Sequence, residues 1–236
     1  IGKARLRTFD AATGASGWTY GYDSAYRDLY GYDSGPRASP LVHGDHVYLF
    51  GVEGELHAVD RRTGEQVWSL DTADRFGVIQ NFFGVASNPV VFGDLILLMV
   101  GGSPPESQSV PQGALDRVKP DGTGIVALDR ATGAVVYGIG DDLASYTSLQ
   151  VAEIGGRPTG VAWMRAHLLL FNPLDGAIKG RFRWRSKKLE SVNASTPVVA
   201  GDRIYLSECY ERGSVLIDVA DREDADAAAS ELPLAL

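Results

Sequence analysis

Apolar residues along this chain come in short bursts and do not form stripes. Runs such as Leu56-His-Ala-Val59 and Ile125-Val-Ala-Leu128 have the length and the aliphatic, β-branched composition of strands. Each is bounded within a few residues by Gly, Asp or Thr, the residues of tight turns. No segment keeps its apolar residues at a 3.6-residue period between capping residues, so helices are expected to be rare.

The turns themselves recur. Asp-x-x-Thr-Gly, with an aromatic four residues after the glycine, occurs as Asp10 to Gly14 with Trp18, as Asp60 to Gly64 with Trp68, and as Asp129 to Gly133 with Tyr137. A degenerate fourth copy is Asn172-Pro-Leu-Asp175-Gly176, with Gly180 at the aromatic position. A second signature is a Gly-Asp turn leading into an apolar run, at Gly44-Asp45, Gly93-Asp94 and Gly201-Asp202, with Gly156-Arg157-Pro158 as the intervening copy. Both signatures return about every fifty residues once a Ser/Pro/Gln-rich insertion at 103–123 is set aside. A glycine that takes positive φ closes such a hairpin without a Cβ clash, and the Asp and Thr side chains hold the turn amides.

In the second repeat, strands are expected near 39–42, 47–50, 55–59 and 65–70. Four short antiparallel strands per repeat make the blade of a β-propeller. The expected fold class is therefore all-β, a partial propeller of four-stranded antiparallel blades. Three blades are whole. Residues 1–18 supply the last two strands of another, and 195–218 the first two or three of a fifth. Residues 1–218 form the propeller segment, and 219–236, rich in Ala and acidic residues, is expected to be a disordered tail.

The run Val126-Ala-Leu-Asp-Arg-Ala-Thr-Gly133 resembles the pyrroloquinoline-quinone (PQQ)-like propeller repeat, Ala-Leu-Asp-x-x-Thr-Gly-x-x-x-Trp, and the resemblance extends over about residues 1–218. In that family the repeat tryptophan packs between adjacent blades. Trp18 and Trp68 fit this role, whereas Tyr137 and Gly180 depart from it. The repeat occurs in quinone-dependent alcohol dehydrogenases and in the outer-membrane barrel-assembly lipoprotein, so the resemblance implies an extracytoplasmic protein of the periplasm or cell envelope. It also frames two functions. One is a non-catalytic binding or scaffold module; the alternative is a PQQ-dependent alcohol dehydrogenase. Under the alternative, Glu190 and Asn193 would stand for two calcium ligands and Arg37 would pair with a quinone carboxylate. The single cysteine, Cys209, cannot form the adjacent-cysteine disulfide of those enzymes. The non-catalytic reading is therefore preferred: no catalytic residue and no cofactor are expected, with PQQ and calcium entering only under the alternative.

Strand parity sorts the loops onto two faces. Gly-Asp turns follow first strands and Thr-Gly turns follow third strands, so both lie on one face, which has short turns. The other face carries long connections at 19–38, 71–86, 103–123 and 181–194, and long loops on a rigid scaffold are where binding concentrates. The first of these holds Tyr20, Tyr22, Tyr26, Tyr30 and Tyr32, with Asp23, Asp28 and Asp33. Its end, Gly35-Pro36-Arg37-Ala38-Ser39-Pro40, resembles Gly84-Val-Ala-Ser87-Asn88-Pro89 and Asn193-Ala-Ser195-Thr-Pro197, each entering the innermost strand of a blade. Arg37, Tyr32, Asn81, Ser87, Asn88, Glu190 and Asn193 are thus the candidate binding residues around the channel mouth, for a protein or polar small-molecule ligand.

The chain has 236 residues, 44% hydrophobic and 22% charged, a globular balance. Its formal net charge of −8 argues against nucleic acid as a partner. The longest apolar run, 90–100, is interrupted by Gly93 and Asp94 and cannot span a bilayer. His43-x-x-His46 flanks a turn on the plain face, so no metal is assigned there. Arg181, Arg183, Arg185, Lys187 and Lys188 alternate with Phe182 and Trp184, the pattern of a strand with one solvated and one packed face. The remaining partner implied by the partial propeller is the missing blades of the same chain.

Overall fold

The computed structural model describes residues 2–79, 81–111 and 113–219. Its strands fall into five antiparallel sheets taken in chain order. The first is a pair, β1 (Gly2–Phe9) and β2 (Ser16–Ser24). The second has four strands, β3 (Leu41–His43), β4 (His46–Phe50), β5 (Glu55–Asp60) and β6 (Gln66–Asp71). The third comprises β7 (Val90–Phe92), β8 (Leu95–Met99), β9 (Ile125–Asp129) and β10 (Val135–Ile139). The fourth comprises β11 (Gln150–Ile154), β12 (Arg157–Trp163), β13 (His167–Phe171) and β14 (Ile178–Arg183). The fifth has three strands, β15 (Val198–Ala200), β16 (Arg203–Glu208) and β17 (Gly213–Asp218). Each strand pairs with its sequence neighbour, the meander of a propeller blade. Three whole blades stand between two partial ones, as the repeats require.

The core lies between blades. Leu6, Trp18 and Tyr20 of the first sheet pack on Val47, Leu49 and Val59 of the second. Phe50 and Leu56 meet Leu98, Val126 and Leu128 of the third. Leu97, Met99 and Ala127 meet Ala162, Leu169 and Phe171 of the fourth. Trp163, Leu168 and Leu170 meet Ile204, Leu206 and Ile217 of the fifth. Interior strands bury both faces, so β4, β5, β8 and β9 read as continuous apolar runs and show no alternation.

The repeated hairpin has a repeated internal geometry. Asp10 Oδ1 accepts the Thr13 N–H at 2.8 Å and the Thr13 hydroxyl at 2.7 Å, and Asp129 Oδ1 does the same with Thr132 at the same distances. Asp60 Oδ1 accepts the Thr63 N–H at 2.8 Å. In the degenerate copy Asn172 Oδ1 accepts the Leu174 N–H at 3.1 Å, so an amide carries out part of the carboxylate's work. Gly14, Gly64, Gly133 and Gly176 all take positive φ, between 71° and 78°. A register shift accompanies each hairpin at the same place, with the extra residue on the strand that follows the turn.

The aromatic position locks each blade to the next. Trp18 Nε1 donates to Arg61 O at 2.9 Å, and Trp68 Nε1 donates to Arg130 O at 3.2 Å. Tyr137 corrects an expectation: its hydroxyl donates to Pro173 O at 2.8 Å, so the phenol replaces the indole without loss of regularity. The three acceptors are equivalent, each one residue after the hairpin Asp or Asn. The three rings lie over the glycines of the next hairpin, where an added Cβ would fall 2.7 Å from Trp18 at Gly64, and 2.8 Å from Trp68 at Gly133 and from Tyr137 at Gly176.

Helix is confined among the described residues to one turn of α-helix, α1 (Thr72–Phe76), and two short 3-10 segments. Asp71 caps α1 by accepting the Asp74 N–H, and Gly77 in the left-handed region ends it. The first long connection begins later than expected, because β2 continues to Ser24 and places Tyr20 and Tyr22 on a strand. The tail expected at 219–236 lies outside the described residues apart from Val219, whose N–H pairs with Asp202 O at 2.8 Å.

Candidate functional site

One face carries the connections at 25–40, 72–89, 100–124, 140–149 and 184–197. The first is built around Asp28, whose side chain is fully buried. Its Oδ1 accepts the N–H groups of Tyr30 at 2.9 Å and Tyr32 at 3.1 Å. Its Oδ2 accepts the Tyr26 hydroxyl at 3.2 Å and Arg37 Nη2 at 3.0 Å. Burial pulls the Asp28 pKa upward, but these four donors outweigh it and hold the carboxyl below the usual range. Arg37 also donates to Asp33 O at 2.6 Å and, through Nε, to Phe83 O at 3.2 Å. It thereby ties the loop to the connection entering the third blade.

This scaffold holds aromatic rings out toward solvent. Tyr30 is 54% and Tyr32 70% exposed, beside Leu29 at 48%. The Phe83 ring backs both, with centroids 5.6 Å from Tyr30 and 6.2 Å from Tyr32, and Tyr146 backs Phe83 at 5.7 Å. The Phe83 N–H donates to the Tyr146 hydroxyl at 2.6 Å, and burial pushes that phenol far above its ordinary pKa. Tilted rings at these separations are the favoured aromatic arrangement. The outcome is an amphipathic platform whose base is fixed by hydrogen bonds.

The other candidates divide by burial. Glu190 is exposed. Asn88 takes part in a belt that joins the entries of four successive blades. Its Oδ1 accepts the Ser39 N–H at 2.7 Å, and its Nδ2 donates to Ser148 Oγ at 3.0 Å. The Ser148 N–H donates to Thr196 Oγ1 at 3.2 Å, and Gln150 Nε2 to Pro197 O at 2.6 Å. Three placements correct the expectation of a ring of accessible groups. Ser87 is fully buried, Asn193 is 1% exposed and Asn81 is 7% exposed, although all three lie in connections between strands. The Asn193 amide donates to Met164 O at 2.7 Å and to Arg165 O at 3.2 Å, and the Asn81 side chain accepts the Phe82 N–H at 2.8 Å.

Sequence reasoning missed several residues that shape this face. Ser148 and Thr196 sit immediately before Leu149 and Pro197, as Ser39 precedes Pro40 and Asn88 precedes Pro89; aligning the strand entries would have found them. Asp116 from the insertion gave no signal. It pairs with Arg165 at 2.8 Å and Arg185 at 3.1 Å, which fastens the insertion to the fourth blade. Burial lowers the Arg165 pKa, partly offset by Asp116. Buried Glu208 accepts the Ser186 N–H with both oxygens and the Ser191 hydroxyl, fixing the connection that carries Glu190. The basic run alternates as expected, with Phe182 and Trp184 buried and Arg181 and Arg183 exposed.

Two of the three residues named for the quinone alternative are not placed for it: the Arg37 guanidinium is engaged by Asp28, Asp33 and Phe83, and Glu190 lies on the surface whereas Asn193 is buried. Among the described residues no three His, Cys, Asp or Glu side chains gather as a metal site. Cys209 is a free, exposed thiol. No helix among them is long and apolar enough to cross a membrane.

Residues 2–223 match the PQQ-like repeat family described as outer membrane protein assembly factor BamB. The chain belongs to this family. Among solved structures it is similar to BamB from Moraxella catarrhalis, with a TM-score of 0.60 and 18% identity over 92% of this chain and 55% of that one. It is also similar to the quinohemoprotein alcohol dehydrogenase ADHIIG from Pseudomonas putida HK5, with a TM-score of 0.55 and 16% identity over 93% and 43% of the two chains. A computationally designed protein, Ika8, shares the fold at a TM-score of 0.51 and 9% identity, over 89% of this chain and 51% of that one. Identities this low speak for the fold alone. The chain spans about half the length of these proteins. No curated protein matches it.

Proposed function

We propose that the chain is a non-catalytic propeller module of the bacterial cell envelope that presents its long-loop face to a protein partner. The observation that carries this reading is the platform of Leu29, Tyr30 and Tyr32. These are exposed side chains on a loop whose own polar groups are consumed internally by Asp28 and Arg37. Tyrosine is enriched in interface hot spots because it offers large contact area, few rotatable bonds and a hydroxyl. A rigid base lowers the ordering cost of binding. Arg37 acts in this reading by positioning the loop, Asn88 by joining blade entries, and Tyr32 by direct contact. Membership in a family described by outer-membrane assembly supports a periplasmic or outer-membrane-associated location and a protein as the partner.

Neither quinone nor calcium has a part in this reading. A photo-crosslinking residue at position 32, tested in bacterial envelope extract beside the same residue at position 43, should yield a discrete protein adduct only at 32. Adducts at 43 alone would assign the wrong face. Dye-linked alcohol oxidation by the purified chain mixed with PQQ and calcium would overturn the non-catalytic assignment.

A further inference from the structure

Equivalent residues of successive sheets meet at each joint, and in the three later joints both are apolar. Leu70 shares a cluster with Val126, Ile139 with Leu169, and Phe182 with Val215. Between the first and second sheets the same two places hold Tyr20 and His57, whose Oη and Nδ1 lie 3.0 Å apart. His57 is only 7% exposed. A titratable pair thus stands where its neighbours are aliphatic or aromatic.

The proton positions follow from the partners. Gln66 Nε2 donates to Ser69 Oγ at 3.3 Å, and Gln66 Oε1 accepts the Tyr20 hydroxyl at 2.6 Å. A phenol has one proton, so at its contact with Tyr20 the imidazole donates, and neutral His57 carries its proton on Nδ1. Its Nε2 is buried with no partner among the described residues, and the Tyr22 ring lies against the imidazole with centroids 4.4 Å apart. A proton taken up at Nε2 would be a buried charge on an N–H that finds no acceptor. Burial accordingly lowers the His57 pKa, and Gln66 offsets part of that.

The other groups around the ring do not supply a counter-charge. From β2 come Tyr20 and Tyr22, both raised by burial, Tyr22 to about 12, so both are neutral where His57 titrates. The neighbouring strands bring Leu49 of β4 and Gln66 and Ser69 of β6, and Ala4 and Leu6 of β1 pair with Tyr22 and Tyr20. On β5 itself Glu55 shares the face of His57, and burial raises its pKa, as do Glu53 and Asp71. Glu55 therefore gains in acid, the opposite sense to His57.

We infer that His57 is a proton sensor in the joint between the first and second sheets: on taking up a proton at Nε2 it parts β2 from β5 and loosens the 25–40 loop that β2 feeds. The start of that loop hangs on the same joint, because the Ser24 hydroxyl and the Ala25 N–H donate to Glu53 Oε2 at 2.7 and 3.0 Å. This device does not depend on which partner the platform takes. An open joint hydrates the imidazole and restores its ordinary pKa. The joint therefore holds fully above about pH 6.5 and weakens as pH falls from there toward the lower folded value.

Hydrogen exchange at β2 amides, expressed as protection relative to the unfolded chain at each pH, reads the opening, since a two-stranded sheet alone is marginal in water. Uptake of one proton should make that protection about tenfold lower at about pH 5.5 than at about pH 7.5. The double variant Tyr20→Leu with His57→Val, which copies Leu70 and Val126 of the next joint, should show no such loss, and Glu55→Gln should keep it. Protection that does not fall in the unaltered chain, or falls as much in the double variant, overturns the proposal. The imidazole of His57 in the unaltered chain, followed by NMR, should titrate with a midpoint below about 6.5. A midpoint at or above that value also overturns the proposal, because the folded joint would then accept the cation between its rings.

Discussion

Arg130 O is shared by two donors from the preceding blade, Trp68 Nε1 at 3.2 Å and the Tyr48 hydroxyl at 3.1 Å. Tyr48 is fully buried, so no water replaces its hydroxyl, whereas Trp68 is half-buried. Removing one donor leaves the carbonyl satisfied by the other; removing both orphans it. Tyr48→Phe should therefore cost only about 0.5 kcal/mol, the low end for a net hydrogen bond. Trp68→Phe should cost more, because the smaller ring covers less of Gly133, but that contribution is common to both backgrounds and cancels in a double-mutant cycle. The double variant should exceed the sum of the singles by about 1 kcal/mol, the desolvation cost of an unpaired carbonyl. Urea unfolding of the four proteins measures this through the midpoint and slope, and a Tm difference of roughly 2–4 °C per kcal/mol is expected for a chain this size. Additivity within about 0.3 kcal/mol would refute the shared-acceptor account of the interlock.

Other outcomes follow from the same geometry. Tyr137→Phe should destabilise by about 1 kcal/mol in the same unfolding assay, because Pro173 O has no second donor among the described residues, and Tyr137→Trp should recover most of it. The Asp28 carboxyl is held below its usual range, so its contribution to the 25–37 loop is complete above about pH 4 and is lost as pH falls through its lower folded value. The Tyr32 amide resonance should report a titration midpoint below about 4, absent in Asp28→Asn. Asp116→Asn removes the carboxylate shared by Arg165 and Arg185 and should destabilise by about 1–3 kcal/mol, with limited proteolysis now cutting within 103–123.

What could be read from the residues was what repeats. Asp10, Asp60 and Asp129 announced the hairpins, and Gly44, Gly93 and Gly201 announced the turns, because each needs a particular side chain or a backbone conformation that L residues avoid. Tyr137 was misjudged as a departure, since identity was read where function needs only a flat ring and a polar hydrogen at its rim. The candidate face was legible by strand parity, and its individual residues much less so. Asn193, Ser87 and Asn81 are polar residues in connections, which reads as exposed, but all three are buried, and the Asn193 amide serves backbone carbonyls of the fourth blade. Asp28 and Arg37 are nine residues apart and meet only because the loop closes on itself. Asp116 and Arg165 meet across two blades, a pairing that no local pattern encodes.

The Tyr30–Tyr32 platform is the proposed site of protein binding, and its loss should be felt in affinity. The direct measurement is the affinity of the partner identified by crosslinking at position 32, determined by calorimetry or surface-based kinetics for three forms of the chain. Relative to the unaltered protein, Tyr32→Ala should weaken binding by about 30-fold, the equivalent of a 2 kcal/mol hot spot. His43→Ala, on the plain face, should leave it unchanged. Undiminished affinity in Tyr32→Ala together with loss in His43→Ala would contradict the assignment and move the binding surface to the short-turn face.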